Sequence, residues 1–215
     1  SIILGLVIHS LFAQNESNVW IFGNDAGIDF NTEPPTSSYG WIDSQEGCAS
    51  ICDKNGNLLF YTDGTEIRNR NHQVMPNGGG LLGQQTTTQS SLIIRNPLQD
   101  SIYTVFTVSA HAGTMGIRYS EVNMNLEGSF GNVTNVKNYF IVNNTCEKIT
   151  AIQHQNGIDW WIITRLYGSN TFLSYLFNQN GINIPSASFS SIGTLITQDP
   201  PLDNNVIGYM KSNLN

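Results

Sequence analysis

Side chains that could bind a metal ion are scattered along this sequence rather than gathered in a motif. The run DKNGN, which begins at Asp53, matches the opening of a calcium-binding loop, but the bidentate glutamate that completes such a loop is missing. An Asn-Gly hairpin turn explains the run better, because Asn and Gly tolerate the positive φ of tight hairpins. His72, His111 and His154 show no i, i+2 or i, i+4 pairing, so the sequence predicts no metal site.

Ser109 and His111, in the run SAHAG, are close enough in sequence to suggest a nucleophile and its base. The run lacks the G-x-S-x-G elbow, and no acid that would orient the histidine can be identified. We therefore interpret this run as a polar loop between strands.

A pair of carboxylates could instead hydrolyse a glycosidic bond, which requires two acids facing each other about 5 to 10 Å apart. The sequence offers six candidate acids without showing which of them face each other: Asp25, Asp29, Asp43, Glu46, Asp63 and Glu66. Asp63 and Glu66 follow an apolar strand at a turn, where acids commonly accept hydrogen bonds from backbone amides. The sequence therefore identifies no catalytic, cofactor-binding or metal-binding residue, and no cofactor.

Two adjacent tryptophans, Trp160 and Trp161, could form a platform for a sugar ring. On a strand, neighbouring side chains point to opposite faces, so at most one of the two indoles faces any given surface. We expect both rings to pack between sheets. The run NGGG is a turn and not a phosphate-binding loop, because it does not stand between a strand and a helix.

The charge balance excludes several classes of partner. The 215 residues carry a formal net charge of −7, and only 12% of them are charged. A nucleic-acid-binding protein needs a basic stripe, and anionic membranes attract basic residues, so neither partner is expected. The sequence leaves an unidentified protein or glycan as the expected ligand.

The first residues, SIILGLVIHSLFAQ, form an apolar run that ends at the small residue Ala13 and is followed by polar residues. The run is shorter than the about 20 residues that a transmembrane helix needs. It is typical of the apolar core and cleavage end of a secretory signal peptide. We predict that residues 1–14 are a signal-peptide remnant, that the protein is secreted or displayed at the cell surface, and that it is not inserted in a membrane after signal removal. The alternative is a buried apolar strand or helix at a true N-terminus.

The three cysteines, Cys48, Cys52 and Cys146, are compatible with export but do not define a disulfide framework. We place Cys48 and Cys52 on one strand, where their Cα atoms would be about 13 Å apart, too far for a bridge. A bridge between Cys48 and Cys146 is an open alternative, and the run CASIC lacks the spacing of a zinc site. We expect all three to be small buried apolar side chains.

Short runs of β-branched and aromatic residues alternate with clusters of Gly, Asn and Asp through the rest of the chain. No long stretch has the i, i+3, i+4, i+7 spacing of an amphipathic helix, so the sequence predicts an all-β protein. Two runs, NGNLLFYTDG and NGIDWWIITR, repeat the same order of an Asn-Gly turn and an aromatic strand.

Repeats of this kind begin near Cys48, Ser91 and Ile149, about 45 to 60 residues apart, a period suited to the four-stranded blades of a β-propeller. A further unit opens at NNVIGYMKSNLN, and NVWIFG is expected to supply an edge strand that closes the ring against a strand beyond Asn215. We predict that residues 15–215 form an incomplete β-propeller domain of about three blades and the start of another. It would be a fragment of a larger ring that the rest of the same polypeptide completes.

An ordered series of motifs covers nearly all of the chain after Gln14: NVWIFGNDAGIDFN, EGCASICDKNGNLLFYTDG, NHQVMPNGGGLLG, TQSSLIIRNP, GIRYSEVNMNLEGSFGNV and EKITAIQHQNGIDWWIITR. The series resembles the N-terminal propeller region of large secreted Bacteroidota proteins of the gliding-motility-associated or type IX secretion substrate type. The resemblance implies PKD-like modules and a sorting domain downstream, and it implies no catalytic residues. In that family GYMK leads into a blade of the form SPDG, whereas here SNLN follows Lys211.

These observations favour a non-catalytic recognition or scaffold module, possessing an adhesin-like role, within an exported protein. Loops displayed on a rigid array of blades would supply its specificity. The alternative is an extracellular propeller enzyme acting on glycans or peptides, with acids converging at the central channel. A fragment without independent function is a third alternative, because an open propeller would expose strand edges and apolar faces.

Overall fold

The computed structural model describes residues 15–196 and 205–212. Within these ranges the protein is all-β, as predicted, with seventeen strands in four antiparallel sheets. The helical elements in the same ranges are short 3₁₀ turns: Asn15–Ser17, Ala110–Ala112, Glu127–Ser129 and Ile184–Ser186. The predicted signal-peptide remnant, residues 1–14, lies outside the described residues.

Each sheet is built from strands that follow one another along the chain, so each is an antiparallel meander. The first sheet contains β1 (Val19–Phe22), β2 (Asn24–Asp29) and β3 (Thr36–Asp43). The second sheet contains β4 (Ala49–Cys52), β5 (Leu58–Thr62), β6 (Glu66–Asn69) and β7 (Val74–Gly79).

The third and fourth sheets each have five strands. The third contains β8 (Ser91–Arg95), β9 (Ile102–Val108), β10 (Ile117–Asn123), β11 (Asn132–Val133) and β12 (Tyr139–Val142). The fourth contains β13 (Thr145–Gln153), β14 (Trp160–Leu166), β15 (Thr171–Asn178), β16 (Gly181–Ile182) and β17 (Ser188–Ser191). In both, the last two strands pair with the same neighbour, β10 in the third sheet and β15 in the fourth.

The Asn-Gly runs form hairpin turns, which confirms the interpretation of DKNGN. Oδ1 of Asp53 accepts hydrogen bonds from the backbone N–H groups of Asn55 and Asn57, at 2.8 and 2.9 Å, in the turn that joins β4 to β5. Gly56 in this turn has a φ of +87°, which a residue with a Cβ rarely adopts. Local side-chain bonds and one glycine therefore fix the turn.

Three apolar clusters join the four sheets. The cluster between the third and fourth sheets contains Ile94, Phe106, Val108, Ile117, Ile141, Ile149, Ile162, Leu173, Tyr175 and Phe177. The cluster between the second and third contains Phe60, Ile67, Met75, Leu81, Tyr103, Val105, Val122, Met124 and Val133. The cluster between the first and second is the smallest of these, with Val19, Ile21, Ile42, Cys52 and Tyr61. The first sheet is therefore attached through a much smaller apolar contact than the other junctions.

The segments that enter successive sheets are connected by hydrogen bonds. The backbone N–H of Gly47 donates to the Thr87 carbonyl at 3.0 Å, and the N–H of Thr88 donates to the Glu147 carboxylate at 2.8 Å. The N–H of Glu147 donates to the Val206 carbonyl at 3.0 Å. The first strands also lie side by side, β1 beside β4, β4 beside β8, and β8 beside β13. The four sheets thus follow one another in chain order along their first strands.

The sequence analysis predicted three strand-rich units and missed one sheet. The units predicted near Cys48, Ser91 and Ile149 correspond to the second, third and fourth sheets. NVWIFG was expected to supply only a closing edge strand, whereas β1 pairs with β2 and begins a three-stranded sheet of its own. The signal that was missed is the run TSSYGWID, which forms β3.

The cysteines are free, as small buried residues are expected to be. Cys52 and Cys146 are fully buried, and Cys48 is half-buried and precedes β4 rather than lying on it. Burial raises the pKa of all three thiols, that of Cys52 to about 11. The open alternative of a bridge between Cys48 and Cys146 is not realised.

Candidate functional site

An open cleft lies between the first and second sheets, and we call it the seam. It has a volume of about 500 Å³. It is lined by Asn24, Asp25, Trp41, Ile42, Asp43, Asp63, Thr65, Glu66, Arg68 and Gln85. The apolar cluster that joins these two sheets is small, and its member Ile42 also lines the seam.

Four of the six candidate acids line the seam, but two of them are already engaged. Asp63 is buried, and its Oδ1 accepts hydrogen bonds from the backbone N–H groups of Thr65 and Glu66 while its Oδ2 accepts one from Gln85. Glu66 forms an ion pair with Arg68 at 2.5 Å. The Asp63 carboxylate therefore fixes a turn, and the Glu66 carboxylate neutralises the cation of the seam.

Asp25 and Asp43 are the two acids of the seam that remain available. Both are exposed, and among the described residues neither carboxylate has a hydrogen-bond or ion-pair partner. Asp25 lies at an irregularity between β2 and β3 and has a φ of +57°. This break in the regular pairing places both acids beside Asn24 at the mouth of the seam.

Trp41 provides the aromatic surface of the seam. Its side chain is 56% exposed, although residues 40 and 42 on either side of it are buried. Tyr39, Trp41 and Asp43 alternate with buried positions along β3, so they share one face of the strand. Such a period-two pattern in SSYGWID is the sequence signal that would have identified this site.

A hydrogen-bonded aromatic group supports Trp41 from the second sheet. The backbone N–H of Trp41 donates to the Tyr61 hydroxyl at 2.9 Å, and this hydroxyl lies 3.0 Å from Nδ1 of His72. The His72 ring stacks against Tyr39 and lies near Trp41, with ring centroids 4.7 and 6.1 Å apart. Burial lowers the pKa of His72 below its usual value, and the positive charge of Arg68 lowers it further. The imidazole is therefore favoured in its neutral form.

The remaining candidates from the sequence do not come together. Asp29 accepts a hydrogen bond from the backbone of Asn31, and the exposed Glu46 contacts the hydroxyl of Thr88. His72, His111 and His154 lie at three different turns, and no group of three or more metal-binding side chains occurs in residues 15–196 and 205–212.

Ser109 and Trp160 are packed within the fold, whereas Trp161 lies on a face that no described sheet covers. Ser109 is buried and donates a hydrogen bond to Oε1 of Gln84 at 3.0 Å, so its hydroxyl is not presented as a nucleophile. Trp160 packs against the apolar cluster between the third and fourth sheets, as expected. Trp161 instead lies on the opposite face of β14, beside His154, where no described sheet covers it. Among the four described sheets, packing between two sheets is therefore confirmed for Trp160 alone.

Comparison with known proteins gives no relative: no family model, no curated protein and no solved structure matches this chain. In the part of the chain that the structure describes, no helix is sufficiently long and apolar to span a membrane. The function must therefore be argued from the seam itself.

Proposed function

We propose that this chain is part of a β-propeller and that it serves as a non-catalytic recognition module of an exported surface protein. The support for a propeller is the succession of antiparallel meanders whose first strands lie side by side. Hydrogen bonds from Gly47 to Thr87, from Thr88 to Glu147 and from Glu147 to Val206 link the second sheet to the third, the third to the fourth, and the fourth to the segment that follows it. The segment Asn205–Ser212 thus occupies the position from which a fifth sheet would be entered.

The two outermost faces of the array support further sheets from the same polypeptide. Trp20 and Phe22 lie on the face of the first sheet opposite to Ile21 and are 52% and 36% exposed. On the fourth sheet, the face away from the third carries Trp161, Ile163, Phe172 and Leu176. Each internal junction buries apolar faces of this kind. We propose that additional blades cover the outer face of the fourth sheet and the β1 side of the first sheet, and leave Trp41, on the opposite edge strand β3, open at the seam.

The seam is the observation that carries the recognition function. An exposed indole, two available carboxylates and the amides of Asn24 and Gln85 surround an open cleft of about 500 Å³. Ligand sites combine apolar or aromatic surface with a few polar groups that fix orientation. A saccharide meets this description, because its C–H face packs on an indole while its hydroxyls donate to carboxylates. We propose a glycan as the ligand, and export to the cell surface as the setting in which it is met.

An oligosaccharide array tests this proposal. The chain should retain one or more immobilised oligosaccharides, and Trp41→Ala should weaken that binding by at least about tenfold, equivalent to about 1.4 kcal/mol. Trp20→Ala is the matched control, because this indole is similarly exposed but lies on β1 and does not line the seam. Equal binding by wild type and Trp41→Ala would refute the seam as the ligand site.

The same array separates recognition from catalysis. A recognition module leaves its oligosaccharide intact after prolonged incubation, as chromatography of the supernatant would show. Release of shorter sugars by the wild type, abolished in Asp25→Asn or Asp43→Asn, would replace the proposal with the enzymatic alternative.

The proposal of additional blades has a separate test. A polypeptide extended along its reading frame should shield Trp20 and Trp161 from acrylamide quenching. Unchanged quenching would argue against additional blades on these faces.

A further inference from the structure

His72 connects the second sheet to the aromatic wall of the seam through hydrogen bonds that favour one protonation state. The Tyr61 hydroxyl accepts the N–H of Trp41, so its single hydrogen is available to donate to Nδ1 of His72. This arrangement favours an unprotonated Nδ1, in which case the neutral ring carries its proton on Nε2. Tyr61 is fully buried, so neither partner can be exchanged for water at little cost.

Among the described residues, no carboxylate lies within ion-pair distance of the His72 ring to stabilise an imidazolium. Arg68 on β6 donates from Nη1 to the backbone carbonyl of His72 at 2.8 Å and is itself paired with Glu66. Tyr39 from β3 and Tyr61 from β5 present neutral rings. Asp29 from β2 and Arg70 from the turn line the same small pocket as His72, and the Asp29 carboxylate is bonded to Asn31.

We propose that His72 is a positioning residue that makes ligand capture at the seam dependent on pH. Neutral His72 accepts the Tyr61 hydroxyl and stacks on Tyr39, which holds the exposed face of β3 in place. Protonation puts a hydrogen on Nδ1, leaves the Tyr61 hydroxyl without its acceptor and adds a positive charge beside Arg68. Trp41 is then released from its position at the seam. This inference rests on the seam being the ligand site.

The conformational step can be measured without any ligand. The full chain is labelled with 5-fluorotryptophan, and the Trp41 fluorine resonance is assigned with Trp41→Phe. Between about pH 8 and about pH 5, this resonance should shift with a midpoint below the usual histidine value of about 6.5. His72→Asn should abolish the shift, since Asn tolerates the left-handed backbone at φ +64° but does not titrate. His154→Asn is the matched control, because that ring contacts Trp161 instead.

Two further readouts separate this inference from a merely structural role and from the proposed function. Nitrogen-15 spectra should show the Nε2–H tautomer of His72 at neutral pH, and the Nδ1–H tautomer would overturn the inference. On the oligosaccharide array, wild-type binding should fall at least about fivefold from pH 8 to pH 5, and His72→Asn should bind equally at both. A Trp41 resonance that does not move, or that moves equally in His72→Asn, overturns the inference. If the Trp41 resonance shifts with pH as expected but no oligosaccharide binds at any pH, the conformational role of His72 is supported and only the proposed function is refuted.

Discussion

Replacing Glu147 with glutamine tests the connection between the third and fourth sheets. Glu147 is fully buried, and both of its carboxylate oxygens accept hydrogen bonds. Oε1 accepts the backbone N–H of His111 at 2.7 Å, and Oε2 accepts the N–H and the hydroxyl of Thr88 at 2.8 and 3.0 Å. Glutamine offers one acceptor oxygen, and its NH₂ group would face a donor at the other position. At least one backbone N–H therefore loses its acceptor.

The expected loss follows from the energy of hydrogen bonds to charged groups, about 1.5 to 3 kcal/mol each. We expect Glu147→Gln to lower the free energy of unfolding by about 2 kcal/mol, and the melting temperature by about 4 to 8 °C. Urea unfolding followed by circular dichroism and fluorescence measures the difference, with coincident transitions as the test of two-state behaviour. The control is Glu46→Gln, which also contacts Thr88 but is exposed and should change stability by less than about 0.5 kcal/mol. An unchanged stability of Glu147→Gln would refute the reasoning, because it would show that the second acceptor oxygen is not needed.

Three other predictions follow from the same structure. Gly116→Ala should lower the free energy of unfolding by about 3 kcal/mol, and Gly128→Ala by about 1 kcal/mol, as measured by urea unfolding. Both glycines have a φ of +62°, but only a Cβ at 116 would lie 2.2 Å from the Val142 carbonyl oxygen. Equal losses of stability would show that the neighbouring backbone moves to relieve this contact. At about pH 8, Cys52 and Cys146 should react with iodoacetamide only after unfolding, and the half-buried Cys48 should react slowly in the folded chain. The reason is that burial raises the pKa values of all three thiols. Rapid labelling of Cys52 in the folded chain would contradict its burial. The free energy of unfolding should decrease as pH falls below about 6.5. The pKa of His72 is lowered in the folded state, so the unfolded state binds the proton more readily. His72→Asn should remove this part of the decrease, and the same pH profile in wild type and His72→Asn would exclude His72 as its source.

Much of the fold could be predicted because each hairpin is specified by nearby residues. In eight turns or loops, an Asn or Asp Oδ1 accepts the backbone N–H two residues later. The accepting residues are Asp29, Asp53, Asp63, Asn69, Asn96, Asn123, Asn156 and Asn178. These side chains satisfy the backbone of their own turns, so turn positions are visible in the sequence.

The connections between sheets could not be predicted, because they depend on residues far apart in the chain. Glu147 has the appearance of an ordinary charged residue at the start of a strand, yet it is completely buried. Its partners, Thr88 and His111, lie before β8 and between β9 and β10, in the part of the chain that forms the third sheet. The first sheet was missed for a related reason: no Asn-Gly turn marks it, and β2 is interrupted by the left-handed residue Asp25.

Among the candidate acids, a hydrogen bond accepted from the backbone of the acid's own turn separates structural carboxylates from available ones. Asp29 and Asp63 both accept the backbone N–H two residues later, which is the bond found throughout the other turns. Asp25 and Asp43 make no such bond and lie beside the exposed Trp41. A carboxylate that stabilises its own turn is explained by folding, whereas an exposed one beside an uncovered indole is not. For this reason Asp25→Asn and Asp43→Asn should reduce oligosaccharide binding with little change in stability. Asp63→Asn should instead destabilise the chain, because an amide can accept hydrogen bonds through only one of the two positions that the carboxylate uses.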